Sequence, residues 1–303
     1  MRSGYDGMQV GRVRENLHLN HGPIDLLLHA EGDPAEVDAA YENAARRFST
    51  LLGDLAQELP LLRRELSTRE AGADATPCGN VARQMFRACL PYRVERLSPM
   101  AAVAGAVADS MLTALNEKAR LRRCWVNNGG DIAFSLDQGQ RFRCGVVPLL
   151  GNSKIVGDLD IGALDPARGI ATSGWATRDQ GGRSFSLGIA DAVTVVAENA
   201  ADADVAATMI ANQVDLPGHR GIRRDPAEQL DPDSDLGRRR VTTGVPWLSD
   251  AECRQALDRG ARYARKLQSQ GRIHFAILFL QKNYAVVGND QCLQPATGSK
   301  PCR

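Results

Sequence analysis

The chain has 303 residues, with 37 Lys and Arg against 36 Asp and Glu, so its formal net charge is +1. That length corresponds to about one or two domains with a substantial core. The balanced charge argues against a protein that coats nucleic acid with Lys and Arg, and the apolar runs are too short for a membrane-spanning helix. The N-terminal residues lack the apolar stretch of a signal peptide, and the seven Cys are scattered without a Cys-x-x-Cys pair. We therefore expect a cytoplasmic protein.

Two helices are predicted in the first third of the chain. Apolar residues recur at steps of three and four from Val37 to Leu59, with Asp33 as N-cap and Pro60 expected to end or kink the helix. A second helix begins at Ser98 and Pro99, and small residues dominate it as far as Ala108: Ala101, Ala102, Ala104, Gly105, Ala106 and Ala108. Side chains this small imply that another helix, a sheet or a ligand approaches its backbone closely.

Short β-prone runs separated by Gly-rich breaks follow, which favours an antiparallel sheet. These runs are 124–126, 132–136, 142–149, 155–161 and 192–196. A helix is predicted at Ala200–Gln213, and residues 215–241 form an exposed excursion or linker rich in Pro, Asp and Arg.

The last part of the chain predicts one more helix and a hairpin. Ser249 and Glu252 form a capping box at the helix start, and strands at 273–280 and 284–287 follow. Residues 289–303 are expected to be a disordered tail. The irregular alternation of helices and strands predicts an α+β fold, with residues 17–288 as one domain.

Several common catalytic motifs are missing from the sequence. It contains no G-x-x-x-x-G-K-[ST] phosphate loop, no strand-linked G-x-G-x-x-G, no G-x-S-x-G elbow and no H-E-x-x-H. The five His are scattered, and function would require a positioned partner for any of them.

Three short motifs carry the functional hypotheses. The segment 127–132 reads Asn-Asn-Gly-Gly-Asp-Ile, which is typical of a tight hairpin turn but could also bring backbone close to a phosphate or ring. Ala-Thr-Ser-Gly at 171–174 places two hydroxyls at a strand end. Ala-Asp-x-x-Ala-Thr at 203–208 puts Asp204 and Thr208 one helical turn apart, a spacing that suits Mg²⁺ or, more simply, helix capping.

These motifs occur in an order that resembles the ApbE-like family, whose best-known members are FAD:protein FMN transferases. The small-residue helix comes first, then Asn-Gly-Gly-Asp-Ile, Ala-Thr-Ser-Gly, the strand at 192–197 and Ala-Asp-x-x-Ala-Thr. The whole chain looks like a less characterised branch of that superfamily. That branch shares Pro-Ile-Asp-Leu-Leu-Leu at 23–28 and Ser-Phe-Ser at 184–186.

The resemblance implies a T-fold-like α+β fold, with antiparallel sheets backed by helices, and a site for Mg²⁺ and FAD or another flavin. Asp204, Thr208 and the backbone carbonyl of Ala104 are the metal ligands that it implies. The candidate residues for flavin contacts are Asn128, Gly129, Gly130, Asp131, Thr172 and Ser186. Ser173 and Asp191 are the candidate catalytic residues.

The sequence departs from the transferases at two places. Their Ala-Lys-Gly is replaced by Ala104-Gly105-Ala106, and residues 174–191 contain no counterpart of their His-x-Ile-Asp-Pro segment. The missing Lys and His would have supplied charge stabilisation and proton handling. The departures argue against flavin transfer itself and leave a metal-assisted site for a phosphorylated heterocycle.

Two alternatives stay open from the sequence. One is a pterin-binding protein or enzyme linked to tetrahydromethanopterin one-carbon metabolism, suggested by the altered loop with its Ser hydroxyls and Phe185. The other is a non-catalytic scaffold, suggested by the missing Lys and His. The flavin and pterin hypotheses both expect a small heterocycle as the partner. Neither nucleic acid nor a membrane is expected as a partner, and a homodimer is left open.

Overall fold

A computed structural model describes residues 7–66, 77–147, 157–175, 185–288 and 293–295. The chain divides into two compact units. Unit 1 comprises Met1–Gln140, Arg168–Ala171 and Glu198–Val205, and unit 2 comprises Arg141–Ala167, Thr172–Ala197 and Ala206–Arg303. The sequence predicts one domain over 17–288, whereas the structure groups the same residues into two units.

Unit 1 contains an antiparallel sheet in the strand order β1-β2-β3-β4-β5-β8. Along the central strand β3, Ile24, Leu26 and Leu28 are buried, and the residues between them are more exposed. This alternation is what a sheet with one face on the core requires. The strands are β1 (Met8–Val13), β2 (Asn16–His21), β3 (Ile24–Gly32), β4 (Leu121–Asn128), β5 (Asp131–Leu136) and the beginning of β8 (Gly169–Ser173).

Three helices complete unit 1: α1 (Pro34–Leu62), α2 (Asn80–Cys89) and α3 (Val103–Leu115). The side chain of Asp33 caps α1 by accepting the Ala35 N–H at 3.0 Å, as predicted. Pro60 lies in the last turn, so the helix continues only to Leu62. The helix predicted at Ser98 starts there as a short 3-10 turn, Pro99–Ala102, which leads directly into α3.

The close neighbour of the small-residue helix is another helix, α4 (Ala200–Gln213). A Cβ added at Gly105 would lie 2.2 Å from the carbonyl oxygen of Ala200, far inside van der Waals contact. Of the three neighbours that the sequence left open, the structure selects a helix backbone at this position.

Unit 2 contains an antiparallel sheet of β9 (Ala192–Ala197), β12 (Phe275–Leu280) and β13 (Asn283–Gly288). The predicted helix α6 (Asp250–Ser269) carries the predicted capping box. A second sheet pairs β6 (Arg141–Val146), β7 (Gly157–Gly162) and β14 (Leu293–Pro295). The expectation of a disordered tail is corrected for Leu293–Pro295, which pair with β7; the rest of 289–303 lies outside the described residues.

The excursion at 215–241 is folded rather than a linker. It contains the antiparallel pair β10 (Arg223–Pro226) and β11 (Arg240–Gly244) and the short helix α5 (Ala227–Leu230). Ala227 and Val241 are fully buried beneath a mostly exposed polar surface.

The antiparallel, helix-backed α+β architecture predicted from the sequence is confirmed. None of the helices in the described ranges has the length and apolar character needed to cross a membrane.

Candidate functional site

Asp204 on α4 binds the first turn of α3. Its Oδ2 accepts the Gly105 N–H at 3.0 Å, and the carboxylate also accepts the Ala104 N–H. Amides in the first turn of a helix have no acceptor within the helix, and the N-cap residue Ala102 offers no side-chain oxygen. Asp204 therefore supplies the cap that the sequence of α3 lacks.

Asn128, the last residue of β4, binds a backbone carbonyl in the same first turn of α3. Its side-chain amide donates to the carbonyl oxygen of Ala104 at 3.0 Å. The structure thus brings together Asp204, Ala104 and Asn128, three of the residues singled out from the sequence. The contact that it gives Asn128 is to the protein backbone, where the sequence suggested a flavin.

Asp109 on α3 is a residue that the sequence analysis missed. Its Oδ1 accepts the Ala200 N–H at 3.0 Å, and its Oδ2 accepts the Ala201 N–H at 2.9 Å. Gln84 on α2 donates to the same Oδ2 at 2.6 Å. The signal in the sequence was a single acidic residue directly after an otherwise apolar Ala-rich stretch.

Burial dominates the electrostatics of both carboxyl groups. It raises the pKa of Asp109 to about 6, against the lowering effect of the Ala200 and Ala201 amides. Burial likewise raises the pKa of Asp204, and the negative charge of Asp109 adds to that rise, while the Gly105 and Ala104 amides oppose it. Two carboxyl groups held away from water near each other disfavour simultaneous ionisation.

The segment Asn-Gly-Gly-Asp forms a tight hairpin turn, which is the first of the two interpretations that the sequence allowed. Gly129 and Gly130 have φ of +64° and +109°, and Asn128 pairs with Asp131 across the turn. The side chain of Asn127 closes the turn by accepting the Gly130 N–H at 2.8 Å. Asp131 is buried, and the space where a Cβ of either glycine would stand is open.

The predicted hydroxyl groups of unit 2 form two pairs. Thr208 donates to Ser173 Oγ at 3.3 Å, and the hydroxyls of Thr172 and Thr194 are 2.9 Å apart. Thr208 lies four positions after Asp204 on α4, which keeps the spacing noted in the sequence. Because Thr208 gives its proton to Ser173, its oxygen keeps lone pairs for another contact.

Asp191 is buried in unit 2 and holds the turn between β12 and β13. Its carboxylate accepts the indole N–H of Trp175 at 3.1 Å and the backbone N–H of Gln281. Gln281 has φ of +53°, a left-handed conformation that needs support in a residue other than Gly. Burial raises the pKa of Asp191.

Ser186 is also buried, with 4% of its surface exposed. Its Oγ accepts the Gly188 N–H at 3.2 Å and lies 3.5 Å from Asn212 Oδ1 on α4. A Cβ at Gly188 would lie 2.0 Å from the carbonyl oxygen of Ala211, so this turn is pressed against α4. These contacts hold the turn in place, and Ser184 of the same motif lies outside the described residues.

Within the described ranges, no three His, Cys, Asp or Glu side chains are grouped so that they could hold a metal ion. The oxygens collected around the first turn of α3 are one carboxylate and neutral backbone and side-chain groups.

Comparison with known proteins gives the family. A family model described as AbpE bacteria matches residues 8–290. A UPF0280 protein of Methanocaldococcus jannaschii is 38% identical over 124 residues, which are 39% of this chain and 46% of the relative. A UPF0280 protein of Methanosarcina acetivorans is 30% identical over 206 residues, which are 67% of this chain and 74% of the relative. The chain spans about half the length of the first of these relatives.

Solved structures give a weaker likeness. The flavin transferase ApbE from Vibrio cholerae has 13% identity and a TM-score of 0.40, covering 90% of this chain and 97% of that chain. The Pseudomonas stutzeri flavinyl transferase ApbE has 12% identity and a TM-score of 0.37, covering 96% and 98%. The family model, by contrast, spans nearly the whole sequence. The chain therefore belongs to the family described as AbpE bacteria.

Proposed function

We propose that the protein binds a flavin, or a related phosphorylated heterocycle, together with Mg²⁺ at the first turn of α3. The observation that carries the proposal is the partly buried Asp204 carboxylate, which the Gly105 amide holds at 3.0 Å. The resemblance of the sequence to the ApbE-like family supports the choice of a flavin.

The carboxylate at this turn suits a hard cation. A carboxylate offers about four lone-pair positions, and Asp204 uses two of them for backbone amides. The Ala104 carbonyl accepts the Asn128 side chain as well as the helical N–H four residues further on, so the cation site depends on the carboxylate. Mg²⁺ prefers oxygen ligands and is commonly held by one or two carboxylates plus phosphate and water. The proposed ligand in this structure is Asp204, and the Ala104 carbonyl and Thr208 stay predictions from the family resemblance.

The bound ion would neutralise negative charge on the phosphates of the ligand. Asp204 must be ionised to bind it, so binding of the ion would release a proton whenever that carboxyl group is protonated. Gly129 and Gly130 would let a ligand approach the backbone of their turn without meeting a side chain.

The remaining candidate residues keep different parts in this proposal. Ser173, Thr172 and Asp131 stay candidates for contacts with the ligand or for chemistry on it. Asp191 and Ser186 remain predictions, and their buried protein partners favour a role in holding their loops. Because the Lys and His of the transferases are missing, we propose ligand binding and leave flavin transfer out of the proposal.

The test is a titration with FAD in the presence and absence of Mg²⁺, on wild type and Asp204→Asn. We expect Mg²⁺ to tighten FAD binding about tenfold or more in wild type, which corresponds to about 1.4 kcal/mol. Asp204→Asn should lose that increment because the amide is a poor ligand for Mg²⁺. Asp258→Asn is the control, since it makes the same change at an exposed carboxylate on another helix, α6.

Binding of FAD that ignores Mg²⁺, or that Asp204→Asn leaves unchanged, would overturn the metal assignment. The same titration with a reduced pterin tests the first alternative, and pterin binding without FAD binding would replace the flavin. If the protein binds neither FAD nor the pterin, the non-catalytic scaffold is the hypothesis that remains. Circular dichroism of Asp204→Asn without ligand separates lost binding from lost folding.

A further inference from the structure

We propose that Asp109 is a positioning residue that sets the place of the Asp204 carboxylate at the first turn of α3. Asp109 lies on α3 and binds the start of α4, while Asp204 lies on α4 and binds the start of α3, so each helix caps the other. The inference concerns the same turn as the proposed function and, for its ligand-binding consequence, rests on it.

The reciprocal contact is visible in the hydrogen bonds. Asp204, on α4, accepts amides of Ala104 and Gly105 in the first turn of α3. Asp109, on α3, accepts the amides of Ala200 and Ala201 in the first turn of α4. Both sets of amides lack acceptors within their own helix, so each helix start depends on a carboxylate of the other.

The two helix starts also touch through backbone atoms. Gly105 has no room for a Cβ, which would lie 2.2 Å from Ala200 O and 2.7 Å from Ala201 N. A shift of the first turn of α4 would therefore either collide with α3 or break the two amide bonds to Asp109. Tight packing of this kind leaves a small set of allowed positions.

Asp204 follows Ala200 by four positions, which is about one turn of the same helix. The Ala203 N–H bonds to Asn199 O at 3.1 Å, so the helical hydrogen bonds already begin at Asn199. Whatever holds Ala200 and Ala201 thus holds Asp204 through a rigid turn. Both alanines are fully buried, and loss of Asp109 would leave their amides without an acceptor and away from water.

Gln84 completes the arrangement from α2. Its amide donates to Asp109 Oδ2 at 2.6 Å, which orients the carboxylate towards α4. Asp109 itself is not a proposed ligand, because three of its lone-pair positions accept protein N–H groups, from Ala200, Ala201 and Gln84. Its effect on ligand binding passes through α4 and Asp204.

The experiment compares wild type with Asp109→Asn and the milder Gln84→Ala, which leaves both backbone contacts of Asp109. Leu115→Ala is the control, because it removes a fully buried side chain from the last residue of α3 and so destabilises the same helix. The first readout is hydrogen exchange of the Gly105 amide by NMR, measured against the Met111 amide within α3. The second is the affinity for Mn²⁺ with FAD, followed by electron paramagnetic resonance.

We expect Asp109→Asn to speed exchange of the Gly105 amide about tenfold or more relative to Met111, because Asp204 is no longer held against it. Gln84→Ala should give a smaller change in the same direction. Leu115→Ala should leave the Gly105 to Met111 ratio as in wild type. If Mn²⁺ with FAD binds wild type, Asp109→Asn should weaken that binding and Leu115→Ala should not.

An unchanged ratio in Asp109→Asn, or an equal change in Leu115→Ala, would overturn the positioning role. If Asp109→Asn does not fold, Gln84→Ala decides by the same ratio. Failure of Mn²⁺ and FAD to bind wild type would instead count against the proposed function, and the exchange ratio would still decide the role of Asp109.

Discussion

At the scale of single residues, the contact between the starts of α3 and α4 depends on the missing side chain of Gly105 as much as on hydrogen bonds. Gly105 lets the backbone of α3 meet Ala200 at a distance that no side chain tolerates. The Ala residues around it are also small. The side-chain hydrogen bonds between the two helix starts come from Asp109 and Asp204. One position without a Cβ and two carboxylates therefore define how the two helix starts meet.

Gly105→Ala should destabilise the protein by about 1 to 3 kcal/mol, because the new methyl group collides with backbone that cannot rotate away. Gly53→Ala is the matched control, since Gly53 lies inside α1 with nothing within 4 Å of its Cβ position. That control should stabilise the protein by about 0.5 to 1 kcal/mol. Urea unfolding measures both, and a neutral Gly105→Ala would contradict the close approach.

Asp191 should make stability depend on pH. Burial raises its folded-state pKa above the ordinary 3.8, so the folded state holds the proton more tightly than the unfolded state. Its contribution is complete below pH 3.8 and is lost as pH rises through the raised pKa. Urea unfolding across this range should show a smaller fall for Asp191→Asn than for wild type. The exposed Asp258→Asn serves as control, and equal slopes in all three proteins would contradict the assignment.

At the scale of elements, the helices that begin with a strong cap follow the sequence closely. Ser249 and Glu252 form both bonds of the capping box at α6, and the helix starts at Asp250 as that pattern predicts. The capping signal is local, because its donors and acceptors lie within four residues. The same holds for Asp33 at α1 and for the hairpin of β12 and β13.

Ser249→Ala should cost about 0.5 to 2 kcal/mol of stability, since the Glu252 amide loses its acceptor. Ser269→Ala at the opposite end of α6 is the comparison, because its exposed hydroxyl only bonds to Lys266 O. Thermal unfolding of the two variants should therefore rank Ser249→Ala clearly below Ser269→Ala. The reverse order would mean that the observed capping box adds little.

At the scale of the whole molecule, burial decides how the cysteines behave. Cys89, Cys124 and Cys253 are buried and Cys78 is exposed. Burial also raises the pKa of Cys124 and that of Cys144 to about 11. Thiol reactivity requires both access and thiolate character.

Iodoacetamide labelling of the native protein at neutral pH should therefore modify Cys78 well before Cys89, Cys124 or Cys253. Mass spectrometry of the peptides measures the order, and labelling in urea should remove the difference. Rapid native labelling of Cys124 would show that β4 opens more readily than its burial implies.

The sequence by itself determined the features that nearby residues control. Helix starts, tight turns, the α+β class and the spacing of Asp204 and Thr208 all follow from contacts within a few positions. It missed β1, β2 and β3, whose pairing depends on partners elsewhere in the chain. It also took the segment that holds β10 and most of β11 for an exposed excursion or linker, without seeing that the two strands pair. Asn128 stays a predicted ligand contact, and its bond to the Ala104 carbonyl could not be predicted from local sequence.

Only the tertiary structure decided what meets the small-residue helix and what Asp109 does. Asp109 and Ala200 are 91 positions apart, and Asp204 and Gly105 are 99 positions apart. Neither local propensity nor hydrophobic periodicity carries information about such distant pairs. A carboxylate becomes a cap for another helix only when packing removes water and brings that helix start within hydrogen-bond distance.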